Sequence, residues 1–278
     1  MKVIKELPLS LFYSLKYSIT PASFFLKNSK PSVPIIISLT SIPSRFSTLN
    51  FVIKSILNQN TLPKKIVLWI NEDMKNKLPM KVKKMESDIF EIRFSPLHCS
   101  HKKLIHTLET FSKDCIVTCD DDLMYRKEWL SKIYNQHLLD PKSIIGVKTS
   151  HINFDDKNNS LPFKKWRSQY ITNKNPKAFV PIGAWGILYP PRSLHKEVLN
   201  VQKLLELAPK ADDLWFKAMS LLNKTISIQA KDTPKEPIPI IGTQKFALKK
   251  DNLAKDKNTE QWLSLDKEYN LNEIVLSK

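Results

Sequence analysis

The chain has 278 residues, 42 % of them hydrophobic, enough for one large α/β domain or two small ones with a sizeable core. Its formal net charge of +17, from 44 Lys and Arg against 27 Asp and Glu, favours anionic partners, although scattered lysines on a solvated surface account for most of the excess. Four glycines with no G-x-G-x-x-G or G-x-x-x-x-G-K-[ST] run argue against Gly-rich phosphate loops, and three cysteines without framework spacing argue against a disulfide scaffold and suit a reducing cytoplasm.

Residues 1–33 are basic and aromatic. Lys2, Lys5, Lys16, Lys27 and Lys30 face a single carboxylate, Glu6. Glu6, Pro8 and Lys16 interrupt any signal-peptide core, and no apolar run approaches the roughly 18 residues of a membrane span. The segment reads either as an amphipathic helix on an anionic membrane or as a helix packed on the domain's own surface.

Pro31 and Pro34 end that segment, and Ile35 to Leu39 is a β-branched run that predicts a first strand. The polar loop Thr40 to Arg45 follows. Phe46 to Gln59 then carries Leu49, Val52, Ile53, Ile56 and Leu57 at helical spacing, and Pro63 breaks it. Lys65 to Ile70 predicts a second strand ended by Asn71, Ile89 to Phe94 a third, and Lys102 to Phe111 a helix. Cys115 to Cys119 predicts a buried strand in which both thiols are core residues, and Glu128 to Leu139 a helix. Ile144 to Lys148 reads as another strand. Residues 151–177 are a long polar stretch that is either a segment near a site or a surface insertion. Pro181 to Pro191 reads as strand-rich, Asp212 to Leu222 as a helix, and Ile226 to Ile228 as a last core strand; the tail beyond Gly242 is charged. Alternating strands and helices with short loops predict a parallel α/β sheet.

The sharpest feature is Asp120-Asp121-Asp122, directly after the Cys115–Cys119 run. Three adjacent carboxylates repel unless a cation lies between them, and hard divalent cations prefer carboxylate oxygens. Ligands of open α/β sheets bind outside the carboxyl ends of strands. The pattern therefore suggests a metal and a ligand that needs one, such as a diphosphate. A capping or solvated acidic turn is the competing reading.

These elements resemble bacterial nucleotide-sugar-dependent glycosyltransferases of the GT-A fold, particularly those that build lipopolysaccharide or capsule. The resemblance rests on an ordered series: I-S-L-T-S-I-P-S-R at 37–45, P-K-K-I-V-L-W-I at 63–70, H-K-K-L-I at 101–105, I-V-T-C-D-D-D at 116–122, G-A-W-G-I-L-Y-P-P at 183–191, A-D-D-L-W-F-K-A at 211–218 and T-Q at 243–244. It implies a single α/β domain over 34–248, with a mixed, mostly parallel Rossmann-like sheet flanked by helices, the N-terminal helical extension 1–33 and a C-terminal tail or helix at 249–278.

The triplet stands where the family has its D-x-D motif. By that likeness Asp122, with Asp120, would ligate Mn²⁺ or Mg²⁺ on the donor diphosphate; Asp120 would also touch the ribose or base, and Asp121 would orient either. Thr40, Ser41 and Arg45 would line the nucleobase pocket with Asn71, and Lys103 would reach the phosphates. The pair Asp212-Asp213 stands where inverting members carry their base. Asp213 as base with Asp212 on the acceptor is the first reading, and the exchange stays open. Gly183, Trp185 and Gly186 would wall the acceptor side, and Gln244 would approach the donor. The last histidine is His195, so no C-terminal imidazole completes a metal shell.

The expected protein is thus a cytoplasmic glycosyltransferase, peripheral on the inner face of a bacterial membrane. It would take a nucleotide sugar and a saccharide or lipid-linked glycan acceptor, and no nucleic acid. A metal-dependent phosphohydrolase is the first alternative, but it wants further His or Asp ligands that are sparse here. A basic nucleic-acid-binding protein is the second, but zinc-finger spacing, an RNP-like motif and a basic recognition helix are missing from the sequence.

Overall fold

A computed structural model of the chain describes residues 6–26, 30–166, 175–243 and 256–277. The helices α1 (Leu7–Ile19) and α2 (Ala22–Leu26) precede β1 (Ser32–Thr40), α3 (Leu49–Leu57) and β2 (Leu62–Asn71). Then follow α4 (Met80–Lys83), β3 (Phe90–Ser95), α5 (Lys102–Thr110), β4 (Cys115–Thr118), β5 (Leu123–Met124) and α6 (Trp129–Leu139). The second half holds β6 (Ile144–Gly146), β7 (Thr149–His151), β8 (Phe179–Pro181), β9 (Ile187–Tyr189), α7 (Val201–Leu207) and α8 (Asp212–Leu222). It closes with β10 (Ser227–Gln229), β11 (Ile238–Pro239), α9 (Lys257–Tyr269) and α10 (Leu271–Leu276).

Among the described residues the main sheet has the order β10-β6-β9-β4-β1-β2-β3. β9 runs antiparallel to both its neighbours, and the other pairings are parallel. This is the mixed, mostly parallel Rossmann-like sheet that the family resemblance implies, where the strand–helix alternation alone predicts a parallel one. β1 explains why it reads so clearly. Its residues Ile35, Ile37 and Leu39 pack on one face with Leu49, Val52, Ile53 and Ile56 of α3, while Ile36 faces Leu104 and Ile105 of α5. A strand covered on both faces is apolar throughout, and each such side chain contributes about 1.5–3 kcal/mol on burial.

The chain adds β2 and β3 on one side of β1 and β4 on the other. The order therefore reverses between β1 and β4, whose carboxyl ends deliver Thr40 and the aspartate triplet to the same crevice.

Several expectations need correction. β2 begins at Leu62 rather than after Pro63, and its pairing with β1 slips between Val33 and Ile36. Pro34 and Pro63 have no N–H to give a ladder and are accommodated at that irregularity. The 181–191 stretch is not continuous strand: a 3-10 turn, Gly183–Trp185, separates β8 from β9. β10 is a sheet edge rather than a core strand, and β11 follows it to pair with β5. In 151–177, Phe154 bridges Ser160, and Trp166 is buried against Trp262 of α9. Gln244 and residues 167–174 of that stretch lie outside the described residues.

Candidate active site

The acidic triplet leaves β4 on a backbone that is pinned from two directions. The Cys119 N–H donates to Ser38 of β1 at 3.1 Å, and the Asp120 N–H donates to the Tyr125 hydroxyl at 2.9 Å. The same hydroxyl donates to the Ala184 carbonyl at 3.1 Å. Tyr125 thus ties the strand-end carboxylates to the Gly183–Trp185 turn. Trp129 adds a second tie, its indole N–H donating to the Trp185 carbonyl at 2.7 Å.

Each aspartate finds a different partner. Asp121 is buried, accepts from Ser41 Oγ at 2.5 Å and pairs with the Arg45 guanidinium. Arg45 also reaches Asp122 at 3.0 Å. Asp120 is partly exposed and pairs with Lys103 Nζ at 3.0 Å. Burial, and next the neighbouring Asp120, push the Asp122 carboxyl up to about 7, while Arg45 opposes the rise. Burial also raises Asp121, with Arg45 opposing. Burial is thus the main reason that these two carboxyls hold protons more tightly than usual, and Arg45 offsets it only in part.

Lys103 joins this cluster to the second acidic pair. Its ammonium is 3.0 Å from Asp120 and 3.1 Å from Asp212. Burial alone would lower the ammonium, but Asp120, Asp212 and Asp213 overturn that and hold it well above the ordinary lysine value. The backbone that carries it is held too: Ser38 Oγ donates to the Lys103 carbonyl at 2.5 Å, and Thr107 Oγ1 does so at 2.8 Å. Trp69 of β2 donates to Thr107 at 2.8 Å.

Asp212 and Asp213 open α8, where carboxylates suit the helix N-terminus. The two differ in proton affinity. For Asp212 burial is the largest influence and would raise it, but Lys103 and then His101 outweigh burial and hold it below the usual carboxylate range. For Asp213 burial and the charge of Asp212 win, so it lies above that range. Asp213 accepts the Gly183 N–H at 3.0 Å. A side chain at position 183 would collide with it, since an added Cβ would lie 2.8 Å from Asp213 Oδ1. At Gly186 φ is +104°, and an added Cβ would lie 2.7 Å from the Trp129 ring. Both glycines are thus needed for close approach. Asp213, Lys217 and Ser227 share the lining of a small cavity of about 10 Å³. Neither Lys217 Nζ nor Ser227 Oγ has a hydrogen-bond partner there.

The structure therefore brings Ser41, Arg45, Lys103, Asp120, Asp121, Asp122, Gly183, Asp212 and Asp213 into one connected network. Thr40 adjoins it but spends its hydroxyl on the Trp69 carbonyl at 2.8 Å. Trp185 is half-buried, with Lys148 Nζ 4.7 Å from its ring centroid. Asn71 does not join: its amide donates to Leu97 at 2.8 Å and accepts from Lys102 at 2.5 Å. Tyr125, Trp129 and Thr107 escaped the sequence reading, because their contributions depend on long-range pairing that no local spacing reveals. Among the described residues no three carboxylate, imidazole or thiol groups converge as a ready metal shell. The chemistry of the donor set still fits a hard cation through Asp120 and Asp122, whose adjacent carboxylates supply oxygen donors.

A family model described as glycosyl transferase family 2 matches residues 42–197, more than half of the chain. No curated protein matches it. Among solved structures it is similar to S. aureus TarS 1-349 in complex with UDP, at 13 % identity over 72 % of this chain and 59 % of that one, TM-score 0.45. It is similar also to TarS 1-349 in complex with UDP-GlcNAc, at 14 % identity over 90 % and 74 %, TM-score 0.45. A CMP:2-keto-3-deoxy-manno-octonic acid synthetase complexed with CTP matches at 12 % identity over 82 % and 100 %, TM-score 0.45. The chain thus spans 59 % of the first of these TarS chains.

Proposed function

The chain belongs to glycosyl transferase family 2, and from that premise we propose that it moves a sugar from a nucleoside-diphosphate sugar to a saccharide acceptor of a bacterial surface glycan, with inversion. The single observation that carries this reading is Lys103, one buried ammonium held between the triplet and the α8 pair. It couples a site suited to a diphosphate to a site suited to a base.

Asp120 and Asp121, with Ser41, Arg45 and Thr40, form the donor side at the carboxyl ends of β1 and β4. Asp120 and Asp122 would hold a divalent ion, Mn²⁺ or Mg²⁺, with donor and water oxygens completing its shell. When bound, such an ion supplies positive charge against the departing diphosphate. Asn71 is a backbone support in this reading rather than a donor contact.

The acceptor enters beside Gly183, Trp185 and Gly186. Asp213 takes the acceptor hydroxyl proton as that oxygen bonds the anomeric carbon and the carbon–diphosphate bond breaks. Its raised proton affinity suits a base working near neutral pH. Asp212, kept ionised by Lys103, orients the acceptor and answers oxocarbenium-like charge at the sugar. Residues 34–248 are assigned to the transferase domain. Segment 1–33 is assigned as the N-terminal extension that carries α1 and α2. Segment 249–278 is assigned as the C-terminal tail, whose helices α9 and α10 brace α8 through Trp262, Leu265, Leu271 and Val275. Among the described residues no helix is long and apolar enough to cross a membrane. We place the enzyme on the cytoplasmic face of a bacterial membrane, where lipid-linked acceptors lie.

The test is thermal unfolding with UDP-, GDP-, TDP- and CMP-sugars, with and without Mn²⁺. A donor that binds only the folded state raises the melting temperature with its concentration. One nucleotide sugar is expected to do so, more strongly with Mn²⁺. If none shifts unfolding, the donor-site reading is wrong.

A further inference from the structure

The transferase chemistry uses the carboxyl ends of β1 and β4 and leaves one side of α1 without a role. Leu7, Leu11, Phe12, Leu15 and Ile19 recur at helical spacing and share that side. They are open to solvent, with Leu11 56 %, Phe12 60 %, Leu15 65 % and Ile19 75 % exposed, and Phe24 of α2 adds a ring 55 % exposed. The other side of α1 is fastened to the body. Tyr17 is buried with its ring 5.8 Å from Phe25, Ser10 Oγ donates to the Pro239 carbonyl at 2.6 Å, and Lys54 Nζ donates to the Tyr17 carbonyl at 2.6 Å. The exposed stripe is therefore a presented surface on an anchored helix. Contiguous exposed apolar surface of this kind marks a contact site.

The charges around it identify the partner. Lys16 lies on α1 with its ammonium 6.0 Å from the Tyr13 ring centroid. Lys30, which follows α2 in the chain, is close enough to Lys127 for the two charges to oppose each other. Glu6, the one carboxylate in the first 30 residues, is matched by Arg126 at 3.4 Å. A second copy of the chain could cover the apolar stripe only by bringing these lysines against their own image. A bilayer rich in phosphate headgroups answers both the stripe and its cationic border.

We propose that α1 docks the protein on an anionic lipid bilayer, with Leu11, Phe12, Leu15 and Ile19 entering the acyl boundary and the surrounding lysines meeting the headgroup phosphates. The inner side of α1 rests on β11, which pairs with β5, and β5 directly follows Asp122. Docking on α1 therefore engages the lipid surface through an element that the fold connects, by β11 and β5, to the end of the triplet. The inference deepens the placement of the enzyme at a lipid-linked acceptor, but the docking itself does not depend on sugar transfer.

The full chain is to be co-sedimented with phosphatidylcholine vesicles containing about one-third phosphatidylglycerol, and with phosphatidylcholine alone. Tight, salt-sensitive binding to the first and weak binding to the second is expected. The triple variant Phe12→Ser, Leu15→Ser, Ile19→Ser should lose at least about tenfold in vesicle affinity while keeping its melting temperature, since all three side chains are already in water. Lys16→Glu should weaken binding to the anionic vesicles and leave the neutral ones unaffected. Absence of binding to anionic vesicles, or equal binding by the triple variant, overturns the proposal. So does a dimer in light scattering that the triple variant dissolves, which would make a second copy the occupant. Nucleotide-sugar thermal shifts on the same samples report the transferase reading separately, because a soluble donor needs no vesicle.

Discussion

Lys103 Nζ lies 3.1 Å from the Asp212 carboxylate while keeping its 3.0 Å contact to Asp120, so one buried cation neutralises a residue from each half of the site. This lowers the proton affinity of Asp212 and leaves its neighbour Asp213, bonded to the Gly183 N–H, with the higher one. The two adjacent aspartates thus differ in proton affinity, because the lysine pairs directly with Asp212 and Asp213 does not share that contact.

Lys103→Met should be costly twice. Removing one partner of a buried ion pair leaves uncompensated charge, worth about 3 kcal/mol or more of stability. Transfer should fall by at least about 100-fold, because donor and acceptor carboxylates would then repel. Thermal melting and kcat/KM measure the two losses. Lys103→Arg should not restore activity, since the planar guanidinium cannot replace a compact ammonium in that buried position.

Asp213→Asn should leave donor affinity intact and lower kcat by about 10³-fold, the usual range for losing a general base. Gly183→Ala keeps the backbone donor but sets a methyl group against Asp213 Oδ1. A loss of about 10–100-fold in kcat with unchanged donor KM is expected from that displacement. Wild-type turnover by Gly183→Ala would show that this contact does not set the base.

Arg45→Gln removes the cation that bridges Asp121 and Asp122. The variant should unfold at lower temperature without metal. Added Mn²⁺ should then raise its melting temperature more than it raises that of the unsubstituted protein, because the ion meets two unanswered carboxylates. Equal metal responses would separate the triplet from cation binding.

Asp122 gives a pH signature. Its folded value of about 7 lies above the ordinary carboxylate value, so the folded state holds a proton that the unfolded chain releases. The stability gained is full below the unfolded value of about 3.9 and is lost as pH rises through the folded value of about 7. Melting temperatures of Asp122→Asn and the unsubstituted protein should therefore diverge in favour of the variant as pH rises from about 4 to about 7, and run parallel above that. Curves parallel over that whole range would refute the shift.

Lys217 has the opposite sign. Burial lowers its ammonium to about 7, with no hydrogen-bond partner on Nζ. The unfolded chain takes up a proton below about 10.4, so stability is lost as pH falls from there through about 7. Lys217→Met should raise the melting temperature by about 2 °C or more at neutral pH and flatten that dependence.

Much of the architecture was legible because burial on both faces forces β1, β2 and β4 to be apolar runs, and because Asp212–Leu222 carries a helical period ending at the observed boundary. Short or interrupted elements were harder. β10 sits at an edge, so its few residues carry no two-sided apolar run, and the 3-10 turn at Gly183–Trp185 follows from contacts with Trp129 and Asp213 that lie far away in sequence. Of the site, the aspartate triplet stood out by residue type and position after a strand, and Lys103, Asp212 and Asp213 came through the family resemblance. Tyr125 did not, since its hydroxyl acquires meaning only where Asp120 and Ala184 meet.

The sequence by itself determined the alternation of strands and helices, the carboxylates at the end of β4 and the start of α8, and the basic apolar character of the first 30 residues. Those properties reside in local periodicity, residue chemistry and charge. The tertiary structure decided which carboxylate each cation neutralises, which glycine presses on Asp213, and which side of α1 is spent on Tyr17 and Phe25 and which is left for a partner. Those choices depend on distances between segments as much as 229 residues apart, and no sequence spacing encodes a distance that only folding creates.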